Sequence, residues 1–140
     1  MAADCLFCRI VEGAAPATTV AETETTLAFL DHRPLFPGHT LVVPRRHVET
    51  LRDLPDELLA PLFTEVRRLA VAVQEAMGAQ GTFVAENNVV SQSVPHLHVH
   101  VVPRNRKDGL RGFFWPRTPY ADDAHLEATA DRIRSALHSP

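Results

Sequence analysis

Pro95-His96-Leu97-His98-Val99-His100-Val101-Val102 alternates imidazoles with apolar side chains. Successive side chains of a β-strand point to opposite faces, with a rise of about 3.3 Å per residue. The alternation therefore predicts a strand over 96–102, with Leu97, Val99 and Val101 facing the core. His96, His98 and His100 then line the other face, about 6.6 Å apart by the same rise. A core strand has no packing need for three imidazoles in a row. Any one buried histidine can be an ordinary satisfied residue, but three on one face point to chemistry there.

The 140 residues are expected to form one domain over 1–140, large enough to bury a real core. A formal net charge of −3 gives no basis for nucleic-acid steering. No apolar run approaches the ~18 residues of a membrane span. Met1-Ala2-Ala3-Asp4-Cys5 has no basic flank, so no secretory signal is read there. A cytoplasmic location is the resulting expectation. The two cysteines sit as Cys5-Leu6-Phe7-Cys8. In a reducing compartment that gap points to metal or redox work rather than a structural disulfide.

Working outward, 17–21 and 25–30 read as two strands around a Glu22-Thr23-Glu24 turn. The stretch 31–38, with two prolines and a glycine, reads as a loop. Strands follow at 40–43 and 82–85. Leu58, Leu62, Val66, Leu69, Val73 and Met77 recur at helical spacing. They predict one long helix from about Pro55 to Met77, capped by Asp53 with Asp56 and stopped at Gly78. Pro61 predicts a kink, or a helix that begins there. Leu126, Ala130, Ile133 and Leu137 predict a C-terminal helix after Asp122-Asp123. Segregated strands and helices favour an α+β fold with an antiparallel sheet.

The histidine run resembles the signature of the histidine triad (HIT) superfamily. Phe29-Leu30-Asp31, then Pro37-Gly38-His39-Thr40-Leu41-Val42-Val43-Pro44-Arg45-Arg46-His47, resembles the family's first block. Gln92-Ser93-Val94 before the triad and Pro103-Arg104 after it match as well, so the resemblance covers residues 5–104 in order. It implies the HIT fold: a five-stranded antiparallel sheet, one long helix and a C-terminal helix, in a homodimer. It also implies hydrolases or transferases acting at the α-phosphate of a nucleotide.

Two-step cleavage there needs a nucleophile that is good at neutral pH, and a neutral imidazole is one. It also needs donors for the phosphoryl oxygens and a proton for the leaving group. The resemblance assigns the nucleophile to His98, and phosphate and leaving-group contacts to His100 and His39. Ser93 would donate to the phosphate, with Gln92 and either Asn87 or Asn88 alongside. Asp31 would accept from the ribose hydroxyls. Leu6, Phe7, Ile10 and Phe29 would line an apolar base pocket. Arg104, Arg106, Lys107 and Arg111 are candidates for polyphosphate steering or for a solvated face. Where the family commonly has glycine before the Gln-Ser pair, this chain has Ser91, after the apolar Val89-Val90.

Cys5 and Cys8 have the two-residue gap of a metal-ligand pair. The resemblance, which extends to related nucleotidyltransferases, adds His47 and His96 to complete a structural zinc site. It gives no catalytic cofactor. The alternatives at Cys5 and Cys8 are two free thiols or a redox pair.

The leading expectation is an enzyme that cleaves nucleoside phosphoramidates or adenylates through a nucleotidyl-histidine. Its ligand would be a purine nucleotide or nucleotide conjugate, with no nucleic-acid or membrane partner. The alternatives are a dinucleoside polyphosphate hydrolase, a metal-dependent hydrolase with triad histidines on a catalytic zinc, and a nucleotide-sensing protein without turnover.

Overall fold

The computed structural model describes residues 4–111 and 117–137. Strands β1 (Thr19–Glu22), β2 (Thr26–Leu30), β3 (Thr40–Pro44), β4 (Gly81–Glu86) and β5 (Val99–Arg104) form one sheet in the order β1-β2-β3-β5-β4. Every neighbouring pair is antiparallel. A short helix α1 (Leu6–Val11) precedes the sheet, and the long helix α2 (Asp56–Ala76) connects β3 to β4. The expected α+β sheet is present; α1 had no counterpart in the sequence reading.

The two faces of the sheet do different jobs, and strand alternation sorts residues between them. Ala28, Val42, Leu97, Val99 and Val101 share one core cluster with Leu62, Val66, Leu69 and Val73 of α2. Each buried Val or Leu among them contributes about 1.5–3 kcal/mol. On the other face, Leu27, Phe29, Leu41 and Val43 cluster with Cys5, Phe7 and Cys8 at α1. Leu41 pairs with His100 across β3 and β5, so the triad reaches the α1 face.

The histidine strand starts later than the alternation predicts. Both of its ladders end at Val99, opposite Val42 and Glu86. Upstream, the Leu97 N–H donates to the Val48 carbonyl at 2.8 Å and the His96 N–H to the Val94 carbonyl at 2.8 Å. His96 and His98 therefore sit on non-ladder backbone just before β5. Leu97, Val99 and Val101 are buried in the α2 core as expected. Pro103 lies within β5, where only β4 pairs with it; β3 pairing stops at Val101. On that one-sided stretch a missing donor is tolerated.

Helix α2 begins at Asp56 and continues through Pro61, so Pro61 does not start it. Pro61 removes only the bond to the Glu57 carbonyl, near the helix start. Asp53 does not cap α2. Its Oδ2 accepts from the Thr50 N–H (3.1 Å) and hydroxyl (2.8 Å), closing a 3₁₀ turn at Leu51–Asp53. Gly78, at φ +59°, ends α2 as expected.

Residues 1–108 and 109–140 are two compact units. The second carries α3 (Asp123–Leu137), whose first turn is capped where Asp122 Oδ1 accepts the His125 N–H at 2.7 Å. Among the described residues no helix is long and apolar enough to cross a membrane.

Gly38 holds the loop that delivers His39. Its φ is +99°, and a Cβ there would meet Met77 Cγ at 2.7 Å. Gly38→Ala is expected to destabilise the fold by about 1–3 kcal/mol, through the left-handed backbone and the Met77 clash together. Urea midpoints at pH 7 measure it.

Candidate active site

On the α1 face lies an open cleft of about 750 Å³. Leu6, Phe7, Ile10, Phe29, Asp31, Ser93, His98 and His100 line it, together with Thr18, Leu30, Leu41 and Val94. The structure thus brings most of the expected nucleotide residues into one cavity. The contributions of Thr18, just before β1, and of Leu41 on β3 were missed; the Leu30 N–H donates to the Thr18 carbonyl at 2.9 Å and β3 pairs with β2, which makes both adjacent to the expected residues.

Hydrogen bonds set the tautomers of three histidines: His39 and His100 in one relay, His98 through a separate backbone bond. The Leu35 N–H donates to His39 Nδ1 at 3.0 Å, which places the His39 proton on Nε2. His39 Nε2 lies 2.9 Å from His100 Nδ1, so it donates there and the His100 proton sits on Nε2. His98 Nδ1 lies 2.7 Å from the His96 carbonyl and must donate to it, leaving a lone pair on His98 Nε2. The site therefore contains one imidazole with a free lone pair beside another with a free N–H, their ring centroids 5.0 Å apart. Burial pushes the His100 imidazole down to about 4, reinforced by His98 and His39. His39 is also lowered, by burial first, with Asp31 pulling the other way. Both are neutral at pH 7.

Asp31 Oδ2 lies 3.7 Å from His39 Nε2, and Oδ1 accepts the Arg33 N–H at 2.9 Å. Asp31, His39 and His100 could be read as a cation group, since their ligand atoms lie within 4.8 Å of one another. His39 and His100 already satisfy each other, however, so no cation is needed there. His98, which the metal-hydrolase alternative would use with His100, is not in that group.

Gln92 and both asparagines are not among the residues lining the cleft. Gln92 Nε2 donates to the Glu49 carbonyl at 2.6 Å, and its Oε1 accepts the Val89 N–H at 3.0 Å. Asn88 Oδ1 accepts the Leu51 N–H at 2.8 Å, and Asn87 Nδ2 donates to the Ser91 carbonyl at 3.3 Å. All three brace the loop before the triad. Ser91 has φ +63° and Val89 φ +71°. The glycine-favouring backbone is thus kept at Ser91 without the glycine, and a β-branched residue there is strained. Arg104 is bound to Asp108, at 2.6 Å and 3.2 Å, rather than turned to the cleft.

Beside the cleft, Cys5, Cys8, His47 and His96 converge. His96 Nε2 lies 2.8 Å from the Pro44 carbonyl and donates to it. This leaves the His96 Nδ1 lone pair facing Cys5 Sγ (3.4 Å), Cys8 Sγ (3.5 Å) and His47 Nδ1 (3.3 Å). Tetrahedral zinc with Zn–S of about 2.3 Å and Zn–N of about 2.0 Å needs ligand separations of roughly 3.3–3.6 Å for these pairs. The donor set therefore fits zinc, with the Pro44 carbonyl as the outer partner of a ligand histidine. Both cysteines are buried and unbridged. Burial, then Cys5, pushes the Cys8 thiol up to about 11.

A profile of the HIT domain matches residues 12–107. The chain is 34% identical over 135 residues to adenosine 5'-monophosphoramidase hnt1 of Schizosaccharomyces pombe, covering 95% of this chain and 98% of that relative. A HIT-family crystal structure from Bacillus subtilis superposes with TM-score 0.88 at 34% identity, over 98% of this chain and 99% of that one. A Zn-bound histidine triad family protein from Mycobacterium smegmatis superposes with TM-score 0.72 at 39% identity, over 94% and 96%. With the triad, its partner histidine and the surrounding sheet in this order, the chain belongs to the HIT domain family.

Proposed function

We propose that the protein hydrolyses nucleoside phosphoramidates or adenylates at the α-phosphate, with His98 as nucleophile. The observation that carries this reading is the 2.7 Å contact of His98 Nδ1 with the His96 carbonyl, which can only accept and so draws the ring proton to Nδ1. It leaves Nε2 as a lone pair in the cleft. That the relative from Schizosaccharomyces pombe is an adenosine 5'-monophosphoramidase supports the substrate class.

In the proposed reaction His98 Nε2 attacks the α-phosphorus. The bond from phosphorus to the leaving nitrogen of a phosphoramidate, or the leaving oxygen of an adenylate, breaks with its electron pair going to that atom; a leaving nitrogen takes up a proton from solvent. Water then attacks the phosphorus and gives up a proton to solvent, the bond to Nε2 breaks with its electron pair returning to Nε2, and the nucleoside monophosphate leaves. His100 Nε2–H, oriented by the His39 bond, and Ser93 donate to the phosphoryl oxygens as charge builds. A neutral imidazole is the better fixed donor here, because it holds one tautomer while its partner holds the other proton. Asp31 accepts from the ribose, and Leu6, Ile10 and Phe29 form the base wall.

Zinc at Cys5, Cys8, His47 and His96 belongs to the same proposal as a structural ion that ties α1 to the sheet. Also included are a single HIT domain over residues 1–140 and a cytoplasmic location. A homodimer through α2 and edge strand β4 completes it; the exposed Leu59 and Phe63 on α2 and Val84 on β4 support that pairing.

His98→Ala is expected to lower turnover of an adenosine phosphoramidate by at least ~10³-fold, with AMP affinity nearly unchanged. A nucleotidyl adduct on wild-type His98, trapped by rapid quench and mass spectrometry, is the accompanying signature. Substantial activity in the variant would overturn the mechanism.

Acid should weaken the fold through the buried imidazoles. His100 sits near 4 when folded and near 6.5 when unfolded, so between those values the unfolded chain binds more protons. Stability then rises with pH across that window. It is complete above about pH 6.5 and lost progressively toward pH 4. Denaturant midpoints from pH 7 to 4.5 should fall, and fall less in His100→Gln.

Elemental analysis of protein purified without chelator is expected to give one zinc per chain, and Cys8→Ala to lose it together with several degrees of thermal stability. Metal-free native protein would remove the zinc reading.

A further inference from the structure

Helix α1 has only six residues, far too short to hold its shape alone. What fixes it lies at its start. Cys5 Sγ accepts the Cys8 N–H at 3.4 Å, the Cys5 thiol meets His96, and the Cys8 thiol meets both histidines of the metal cluster. Between the cysteines stands Phe7, with 5% exposure. Its ring meets the His98 ring edge-to-face, centroids 5.0 Å apart at 87°. It also meets Phe29 at 5.3 Å and the ligand His96 at 6.0 Å.

His98 needs such a contact. Its hydrogen bond to the His96 carbonyl fixes one ring atom, and rotation of a ring about its last torsion is otherwise broad. A lateral aromatic wall removes that freedom. The neighbours of Phe7 on the helix are placed differently: Leu6 is exposed at 41% and lines the cleft beside Ile10, where a base would lie.

We propose that Phe7 is a positioning residue for His98, and that the Cys5–Cys8 cluster holds Phe7 in place. Metal occupancy then sets the rate of nucleotidyl transfer more than it sets nucleotide affinity. This rests on the reaction and the zinc site proposed above. Misplacing a nucleophile by a fraction of an ångström costs about tenfold in rate, and a full ångström up to about a hundredfold.

Three proteins test it: wild type, Phe7→Leu and Phe7→Tyr, each before and after stripping with a chelator. Turnover of adenosine 5'-monophosphoramidate, AMP affinity by calorimetry, zinc content and the ¹⁵N shifts of the His98 ring are measured on each. Phe7→Leu should lose about tenfold in kcat with KM and the AMP Kd within about threefold and zinc retained. Its His98 nitrogen shifts should move toward tautomer averaging. Phe7→Tyr, which keeps the ring, should stay within about twofold of wild type. Stripping should lower wild-type kcat to a similar degree and lower Phe7→Leu little further, because the two act through one contact.

A raised KM at unchanged kcat in Phe7→Leu would make Phe7 a base wall only and overturn the proposal. Equal loss on stripping in wild type and variant would overturn the coupling, as would absence of zinc from native protein. A wild type inert toward phosphoramidates would instead fail the reaction, and the His98 shifts would still report whether Phe7 positions the ring.

Discussion

The hydrogen bonds of one residue, His96, hold the site together. Its ring donates to the Pro44 carbonyl at the end of β3, which turns its other nitrogen toward the two cysteines. Its own carbonyl accepts the proton of His98 two residues on. A single buried residue thus fixes the protonation pattern on both sides of the wall between cluster and cleft. Because His96 is fully buried, an unmet donor or acceptor there would carry a heavy desolvation cost. The arrangement has little room to slip.

From that point the division of labour follows from the sheet. One face carries the aliphatic packing against α2 that stabilises the fold. The other carries imidazoles, aromatics and thiols, closed by α1. Polar groups on the second face are tolerated because each has a partner in the chain: Leu35 to His39, His39 to His100, His98 to His96, His96 to Pro44. Neutral histidines are the natural members of such a chain, since each offers one donor and one acceptor. Burial, which lowers His39 and His100, keeps them in that neutral form.

The loop before the triad shows a different economy. Ser91 and Val89 occupy left-handed backbone that glycine would adopt without strain. Gln92, Asn87 and Asn88 spend their side chains on bracing this segment. Residues that read as nucleotide contacts in the sequence also brace, in the fold, the loop that presents Ser93. A polar side chain near a motif can serve either purpose, and only the partner it finds decides between them.

Much was legible in the sequence because periodicity is a local property. The alternation at 96–101 assigned Leu97, Val99 and Val101 to the core, and the helical spacing from Leu58 onward located α2. The ordered blocks around the triad were enough for the family. What periodicity could not supply was any contact between distant segments. It gave no sign of α1, whose six residues carry no strong helix pattern and are stabilised by groups forty to ninety positions away. Spacing put three histidines on one face, and only the family resemblance set His96 with the cysteines; spacing alone did not show which ring turns to the metal cluster and which two turn to the cleft. The reason is physical: the ladder of β5 begins only at Val99. Upstream of it the direction of each ring is set by the carbonyl or nitrogen that three-dimensional packing brings within reach, and spacing along the chain does not encode that.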